Sequence, residues 1–296
     1  EKVGIAGTKV GLGFGPGGIG SLLVASLLGY LAHLTALVVS ARDALRLHWK
    51  SVSWSRVRQQ ASRYRRFPLL LSWSGLFNTA SLQLPVILFS SLYSPTVAGL
   101  YAMTHRILKL PASVMGQNVG HVYLQRASKA RSDSDELSRI TQSVYYRMLL
   151  IGAGLLSFVT FYGDLVFSLV LGQEWLEAGQ YGQWISVWLI LEFASLPLGS
   201  LFTVLERQGE VSIWNAVLLA TRVGVVFVGS LVFDEVMPVI VVYSILGAVY
   251  WFARSLRTMK LSGSPVLAVL ARTVATVGGI MAVQYGGSLL IRPLFA

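Results

Sequence analysis

Long apolar stretches separated by short polar turns dominate this chain. A run of about 20 mostly apolar residues is long enough to cross the hydrocarbon core of a bilayer as a helix. Such runs predict spans at residues 11–40, 68–92, 97–124, 140–163, 181–204, 211–233, 237–253 and 264–286. Residues 164–179 are too short to cross, and we expect them to lie at the membrane interface with Trp175 as an aromatic anchor. The pattern predicts an all-α fold, a polytopic transmembrane helical bundle.

The composition agrees with an integral membrane protein. Hydrophobic residues make up 54% of the 296 residues and charged residues 12%, whereas soluble domains carry about 25% charged residues. The mean hydropathy is +0.63. The chain contains no cysteine, so disulfides and thiolate metal sites are excluded. A net charge of +11 would suit nucleic-acid binding, but between spans the arginines are better explained as topology signals, and we expect no nucleic-acid partner.

Basic residues are distributed unevenly between the two sides of the predicted membrane. Residues 41–67 alone contain eight lysines and arginines, and the later basic loops, 126–139, 207 and 254–260, fall on the same side. The opposite side receives only Lys2 and Lys9. The positive-inside rule places the basic loops in the cytoplasm. We therefore predict that residues 41–67 form a cytoplasmic linker on the membrane surface.

No motif in the sequence predicts catalysis or cofactor binding. Residues 13–20 contain G-x-G-x-x-G twice, but a dinucleotide fold needs a preceding strand and a βαβ unit, and neither is indicated. Small residues that let membrane helices pack closely explain these glycines better. The chain has no H-E-x-x-H, no G-x-S-x-G and no phosphate-binding loop. We expect neither a cofactor nor a metal.

The third predicted span carries charges that hydrocarbon does not tolerate without a partner. His105, Arg106 and Lys109 lie near its middle. If this helix enters the hydrocarbon near residue 97, Arg106 and Lys109 lie about 14 and 18 Å deep. A cation at that depth costs a few kcal/mol or more. We expect these side chains to face either a water-filled cavity or a counter-charge.

Other spans carry charges at a similar depth. Glu192 and Arg222 each lie about 16 Å into their helices, and Arg272 lies less deeply in the final span. With Arg106 and Lys109, these residues give four cations and one carboxylate. One reading is a structural salt bridge from Glu192 to Arg222 or Arg106. The surplus of cations favours a water-filled cavity that attracts an anion.

Amide side chains on several spans allow two readings. They can line the same cavity, or they can hold helices together by hydrogen bonds within the membrane. For any one amide alone, the second use is the commoner. The residues in question are Asn78, Gln83, Gln117, Asn118 and Asn215.

Two stretches resemble a known family. Residues 64–127, which begin YRRFPLLL and end HVYLQRA, and residues 172–210, which begin GQEWLEAG and end VLERQGE, are similar to bacterial polysaccharide flippases of the O-antigen type. These flippases belong to an exporter superfamily that also contains the multidrug extruders and the lipid II flippases. The resemblance extends over about residues 12–261.

The resemblance implies two six-helix lobes that rock about a central cavity. Residues 1–40 would contain the last helix of the first lobe, 41–67 the linker and 68–260 the second lobe. Residues 261–296 would add a further helix. The first residue is Glu1 and not methionine, which fits an N-terminally truncated chain without the rest of the first lobe.

The resemblance also implies a function without enzymatic catalysis. Such a protein carries an undecaprenyl-diphosphate-linked oligosaccharide across the bacterial inner membrane by alternating access, for lipopolysaccharide or exopolysaccharide biosynthesis. Its partners would be this substrate, membrane lipids and a polysaccharide polymerase complex. Charge-assisted hydrogen bonds to the diphosphate are expected from cations in the cavity, and Glu192 would couple an ion or form a salt bridge. The expected substrate-binding residues are Arg106, Lys109, Arg222, His105, Gln117 and Asn78.

Three other functions remain open from the sequence. A lipid II flippase would bind the same diphosphate chemistry. A multidrug-type antiporter should have an acidic or apolar cavity, so the cation surplus counts against it. A membrane glycosyltransferase or polymerase usually exposes a large catalytic loop, whereas the loops here are short.

Overall fold

The computed structural model describes residues 27–32, 34–36, 38–39, 42, 53–55, 58–59 and 66–291. It divides the chain into two units, Glu1–Arg65 and Arg66–Ala296. In the first unit, the described residues between 27 and 39 are helical and mostly exposed. The glycine-rich start of the predicted first span, and most of the predicted linker, lie outside the described residues.

Seven long helices account for most of residues 66–291. They are α1 (Arg66–Leu92), α2 (Pro95–Lys129), α3 (Ser134–Leu171), α4 (Leu176–Ser195), α5 (Gln208–Val232), α6 (Val236–Leu261) and α7 (Val266–Ile291). A 3-10 turn, Gln173–Trp175, joins α3 to α4. A second 3-10 turn, Pro197–Ser200, and the short helix Leu201–Val204 join α4 to α5. Residues 66–291 contain no β-strand.

Most of these helices are able to cross a membrane. Among the described residues, five helices are long and apolar enough to do so. A sixth span results if α4 and residues 197–204 are one helix bent by 42°. The helix α2 has 35 residues, so it is long enough as well, but its polar middle makes it less apolar. The protein is therefore an all-α, multi-pass membrane protein, as predicted.

The basic loops of residues 66–291 meet at one end of the bundle. Arg131, after α2, lies 2.9 Å from Glu206, before α5. Arg257, near the end of α6, lies 2.9 Å from Glu210, at the start of α5. We call this end, formed by residues 126–139, 205–210 and 254–264, the basic end. The opposite end carries acidic side chains instead, from Glu174, Glu177, Asp234 and Glu235.

Two pairs of parallel helices set the geometry of the interior. In the first pair, Asn215 and Arg222 of α5 donate hydrogen bonds to Ser74 and to the carbonyl of Ser81 in α1. The partners on both helices are separated by the same seven residues, which is about two helical turns. In the second pair, Thr104 of α2 donates to the carbonyl of Ala178 in α4, and Lys109 of α2 pairs with Glu192 of α4. A cavity lies between these two pairs.

Close backbone packing joins α3 to α4. A Cβ at Gly163 would lie 2.5 Å from the carbonyl oxygen of Gly179, and a Cβ at Gly179 would lie 2.3 Å from that of Gly163. Just before this contact, α3 is kinked at Tyr162, which has φ −125° and ψ 15°. The predicted bounds of the neighbouring spans, 140–163 and 181–204, are wrong here, because α3 continues through the kink to Leu171 and α4 begins at Leu176. The interfacial position expected for residues 164–179 stays a prediction.

Candidate functional site

A cavity of about 530 Å³, with a largely apolar wall that carries several charged and amide side chains, lies among α1, α2, α4, α5 and α6. On the side of the basic end, its lining includes Leu124 and Val211, close to helix ends. At its inner limit it reaches Glu192 and Arg222. The polar and charged lining residues are Asn78, Lys109, Ser113, Gln117, His121, Glu192, Ser200, Asn215, Arg222 and Arg254.

An ion pair between α2 and α4 forms part of the inner wall. Lys109 Nζ lies 2.9 Å from Glu192 Oε1, and the two side chains are 22% and 3% exposed. The second carboxylate oxygen, Oε2, is buried without a hydrogen-bond partner among the described residues. The salt bridge expected for Glu192 therefore forms with Lys109, and the expectation of Arg222 or Arg106 as its partner is wrong.

The same two helices explain why Lys109 is the partner. One turn before the ion pair, His105 of α2 stacks on Trp188 of α4, with ring centroids 5.8 Å apart. Each residue of the ion pair lies four positions after a residue of the ring pair, so both pairs share one face of each helix. The imidazole of His105 also stacks on Tyr101, at 5.9 Å. His105 thus lies in an aromatic stack, and it is not among the residues that line the cavity.

Arg222 is buried in the wall without a carboxylate partner. It is 5% exposed. Its Nη1 donates to the Ser81 carbonyl at 3.1 Å, and its Cζ lies 5.0 Å from the ring centroid of Trp188 and 5.8 Å from that of Tyr243. In the part of the chain that the structure describes, no acidic oxygen lies within 4.0 Å of it. Aromatic faces stabilise the guanidinium, and the carboxylate of Glu192 interacts with its charge only at longer range than an ion pair.

Arg254 is a second cation in the cavity wall that is stacked on aromatic rings. It is half-buried, and its Cζ lies 5.0 Å from the ring centroid of Trp251 and 6.0 Å from that of Phe202. No carboxylate of residues 66–291 forms an ion pair with it. In the sequence it resembled an ordinary topology signal near a helix end, so it was missed as a site residue.

The predicted site residues separate into two groups. Asn78, Lys109, Gln117, Arg222 and Glu192 line the cavity, so the structure brings most of the predicted set together. The remaining two, Arg106 and His105, do not.

Two of the four cations counted from the sequence lie away from the cavity lining. Arg106 is exposed on α2, about one turn beyond Lys109 on the side away from the basic end. Arg272 of α7 stacks on Tyr146, with its Cζ 4.2 Å from the ring centroid. With Arg254 added, the lining has three cations and one carboxylate. The surplus of positive charge is +2, smaller than the +3 expected.

The amides have mixed roles. Asn215 lines the cavity and also joins α5 to α1, because its Nδ2 lies 2.9 Å from Ser74 Oγ. Asn118 donates to the carbonyl of Val114 in its own helix and does not line the cavity. Within the described residues, no group of three or more His, Asp or Glu side chains is placed to hold a metal ion.

The sequence model of a family described as polysaccharide biosynthesis protein matches residues 3–180, more than half of the chain. The chain belongs to this family. No curated protein and no solved structure matches it. Membership of the polysaccharide biosynthesis family, together with the helical membrane fold, indicates a transporter-like protein that takes part in polysaccharide biosynthesis or export.

The family match covers only part of the cavity wall. Asn78, Lys109 and Gln117, on α1 and α2, lie within the matched residues. Glu192, Arg222 and their neighbours on α5 and α6 lie beyond residue 180. In this polysaccharide biosynthesis protein, the ion pair therefore joins a helix inside the matched region to one that continues past its end.

Proposed function

We propose that the protein is a flippase that translocates an undecaprenyl-diphosphate-linked oligosaccharide across the bacterial inner membrane. Transport would follow alternating access, with residues 68–260 as the second of two lobes and residues 41–67 as the cytoplasmic linker between them. Such a substrate joins a long lipid to a sugar chain through a diphosphate. The protein has to provide a polar, positively charged route for the diphosphate and the sugars within the membrane.

The observation that carries the proposal is the uncompensated positive charge of the cavity. Three cations and one carboxylate line a space of about 530 Å³ among the helices. A buried guanidinium such as that of Arg222, stacked on rings and without a carboxylate, is costly unless an anion or water reaches it. Charge-assisted hydrogen bonds from arginine to phosphate are among the strongest polar contacts in proteins.

The charge surplus bears on the alternatives. A multidrug-type antiporter that binds cationic drugs would meet repulsion in this cavity. A lipid II flippase carries the same diphosphate linkage, so the cavity charge supports both substrates equally. Membership of a polysaccharide biosynthesis family supports the oligosaccharide over lipid II.

Genetic complementation tests the proposal. The native gene is expressed in a bacterial strain that lacks its own lipid-linked oligosaccharide flippase, and surface polysaccharide is measured. Wild type should restore the polysaccharide, and Arg222→Gln should lower it at least tenfold at matched membrane levels. Arg272→Gln is the matched control, because this arginine also lies in a span but outside the cavity lining.

Three outcomes would contradict the proposal or its details. Failure of the wild-type gene to restore polysaccharide opposes the flippase function. Rescue of a strain depleted of its lipid II flippase, without restored polysaccharide, favours lipid II as the substrate. Equal activity of Arg222→Gln and wild type would make Arg222 a structural residue. Arg222→Lys, which keeps the charge but loses the planar fork, should retain partial activity.

A further inference from the structure

We infer that Arg254 forms an outer anion site, which receives the diphosphate at the basic end of the cavity before it reaches Arg222. This inference rests on the proposed function, since it divides the binding of the same substrate into two steps. The ligand group is a diphosphate ester. Its recognition would come from the guanidinium edges of Arg254 first and of Arg222 afterwards.

The surroundings of Arg254 differ sharply from those of the next arginine on the same helix. Arg257, three residues later, has Nε and Nη2 each 2.9 Å from the carboxylate oxygens of Glu210. Arg254 lies in the cavity wall instead, stacked on Trp251, and has no carboxylate partner among residues 66–291. One arginine is thus compensated and the other is not. Stacking fixes the plane of the Arg254 guanidinium. The guanidinium shares a hydrogen bond with the Tyr250 hydroxyl, and its remaining N–H groups have no carboxylate partner among residues 66–291.

Arg222 has the same chemistry at greater depth. It also stacks on aromatic rings and also lacks an ion-pair partner. Arg222 lies twelve residues along α5 from Glu210, about 18 Å, and Arg254 lies three residues along α6 from Arg257, about 4.5 Å. Because Glu210 and Arg257 are bonded to each other, the two positions differ in depth by about 13 Å. An anion that enters the cavity from the basic end therefore meets the position of Arg254 before that of Arg222.

Exposure gives each site a different part in binding. Arg254 is half-buried, whereas Arg222 is 5% exposed. An accessible charge at a rim mainly raises the association rate and makes it depend on salt. A buried charge that bonds directly to the ligand mainly slows dissociation. The geometry therefore predicts an association effect at Arg254 and a dissociation effect at Arg222.

Stopped-flow kinetics with the purified protein in detergent tests this division. The probe is farnesyl diphosphate, a short polyprenyl diphosphate, and tryptophan fluorescence is the readout, since Trp251 and Trp188 lie under the two arginines. Arg254→Gln should lower the association rate constant about tenfold at low salt and weaken its salt dependence. Arg222→Gln should instead raise the dissociation rate constant about tenfold. Arg257→Gln is the matched control and should change neither.

Several results would overturn the inference. It fails if Arg254→Gln associates like wild type, or if it changes only dissociation. The variant Arg254→Lys distinguishes a loss of charge from a folding defect. Because it keeps the charge, it should bind farnesyl diphosphate nearly as fast as wild type.

Further probes separate the inference from the proposed function. Wild type could bind inorganic pyrophosphate but not farnesyl diphosphate. If Arg254→Gln then lowers the association rate constant of pyrophosphate in the same way, the outer site is retained and a lipid-linked substrate is opposed. Binding of farnesyl diphosphate that is equal in wild type and Arg254→Gln would retain the substrate class and remove the outer site. Absence of binding for both probes would oppose both.

Discussion

The Lys109–Glu192 ion pair should respond very differently to loss of its lysine and loss of its glutamate. The Glu192 side chain is 3% exposed and that of Lys109 is 22% exposed. Lys109→Met leaves a buried carboxylate with no counter-charge. Glu192→Gln leaves an ammonium group at the edge of the cavity, where water can solvate it. The burial of the two groups, and not their mutual distance, decides which variant is the less stable.

The expected magnitudes follow from that asymmetry. Removal of one partner from a buried ion pair costs about 3–5 kcal/mol, so Lys109→Met should lose that much stability. Glu192→Gln loses a charge-assisted hydrogen bond but buries no charge, so about 1–2 kcal/mol is expected. The double variant Lys109→Met/Glu192→Gln carries no uncompensated charge and should be about as stable as Glu192→Gln. The interaction energy of the cycle then equals the loss in Lys109→Met, about 3–5 kcal/mol.

Equilibrium unfolding by SDS in mixed micelles measures all four proteins. Lys129→Met is the control, because this lysine ends the same helix and is exposed, and it should change stability by less than about 0.5 kcal/mol. The reasoning is refuted if the two single losses are equal and add within about 0.5 kcal/mol in the double variant. In that case the two side chains would not interact in the folded protein.

Two further predictions concern helix contacts away from the cavity. Gly179→Ala places a methyl group 2.3 Å from the carbonyl oxygen of Gly163, so it should lower the free energy of unfolding by about 3 kcal/mol or more. In the control variant Gly154→Ala, in α3, the new methyl group meets nothing within 4 Å, so stability should be unchanged or slightly raised. Equal unfolding midpoints for the two variants would contradict the close α3–α4 contact. Tyr101→Phe removes a 2.8 Å hydrogen bond to the Tyr243 hydroxyl and should lower the free energy of unfolding by about 1–2 kcal/mol. The double variant Tyr101→Phe/Tyr243→Phe should be only slightly less stable than Tyr101→Phe. If the losses of the two single variants add in the double variant, the hydrogen bond is absent.

The fold was predictable because backbone hydrogen bonds must be satisfied within the membrane. An apolar run of sufficient length can then only be a helix, so the spans follow from run length alone. The boundaries were less predictable, since nothing forces a helix to end at the membrane surface. The helix α3 has 38 residues, about 57 Å, and so extends beyond the membrane. The kink at Tyr162 left no signal in the apolar pattern.

The site was predictable only in part. Lys109, Glu192 and Arg222 stand out because a charge within an apolar run is costly, so its presence needs a reason. Which charges pair depends on which helices are neighbours, and a single sequence does not give the parallel contact of α2 with α4. Arg254 lies close to a helix end, where arginines usually mark topology. Only the bend after α4, which brings Gly199 near its Nη2, places it in the cavity wall.

The position of Arg106 suggests why the ion pair lies where it does. Arg106 lies on the same face of α2 as the lining residues Ser113 and Gln117, but beyond Lys109, where the cavity lining ends. The ion pair therefore separates the lined cavity from a further cation on the same helix face. A bare Glu192 carboxylate at this point would repel an anion that reached Arg222, and Lys109 neutralises it.

This arrangement predicts a change in ligand kinetics that stability does not explain. Glu192→Gln raises the charge surplus of the cavity from +2 to +3, because Lys109 keeps its charge while the carboxylate is lost. A unit charge about 10 Å from a bound diphosphate contributes about 1–2 kcal/mol at an effective dielectric constant near 20, so farnesyl diphosphate should dissociate about tenfold more slowly than from wild type. Transport should fall, since the anion is held more tightly at the inner site. Unchanged or faster dissociation from a folded Glu192→Gln protein would mean that Lys109 does not face the ligand, and the neutralising role of the ion pair would then be wrong.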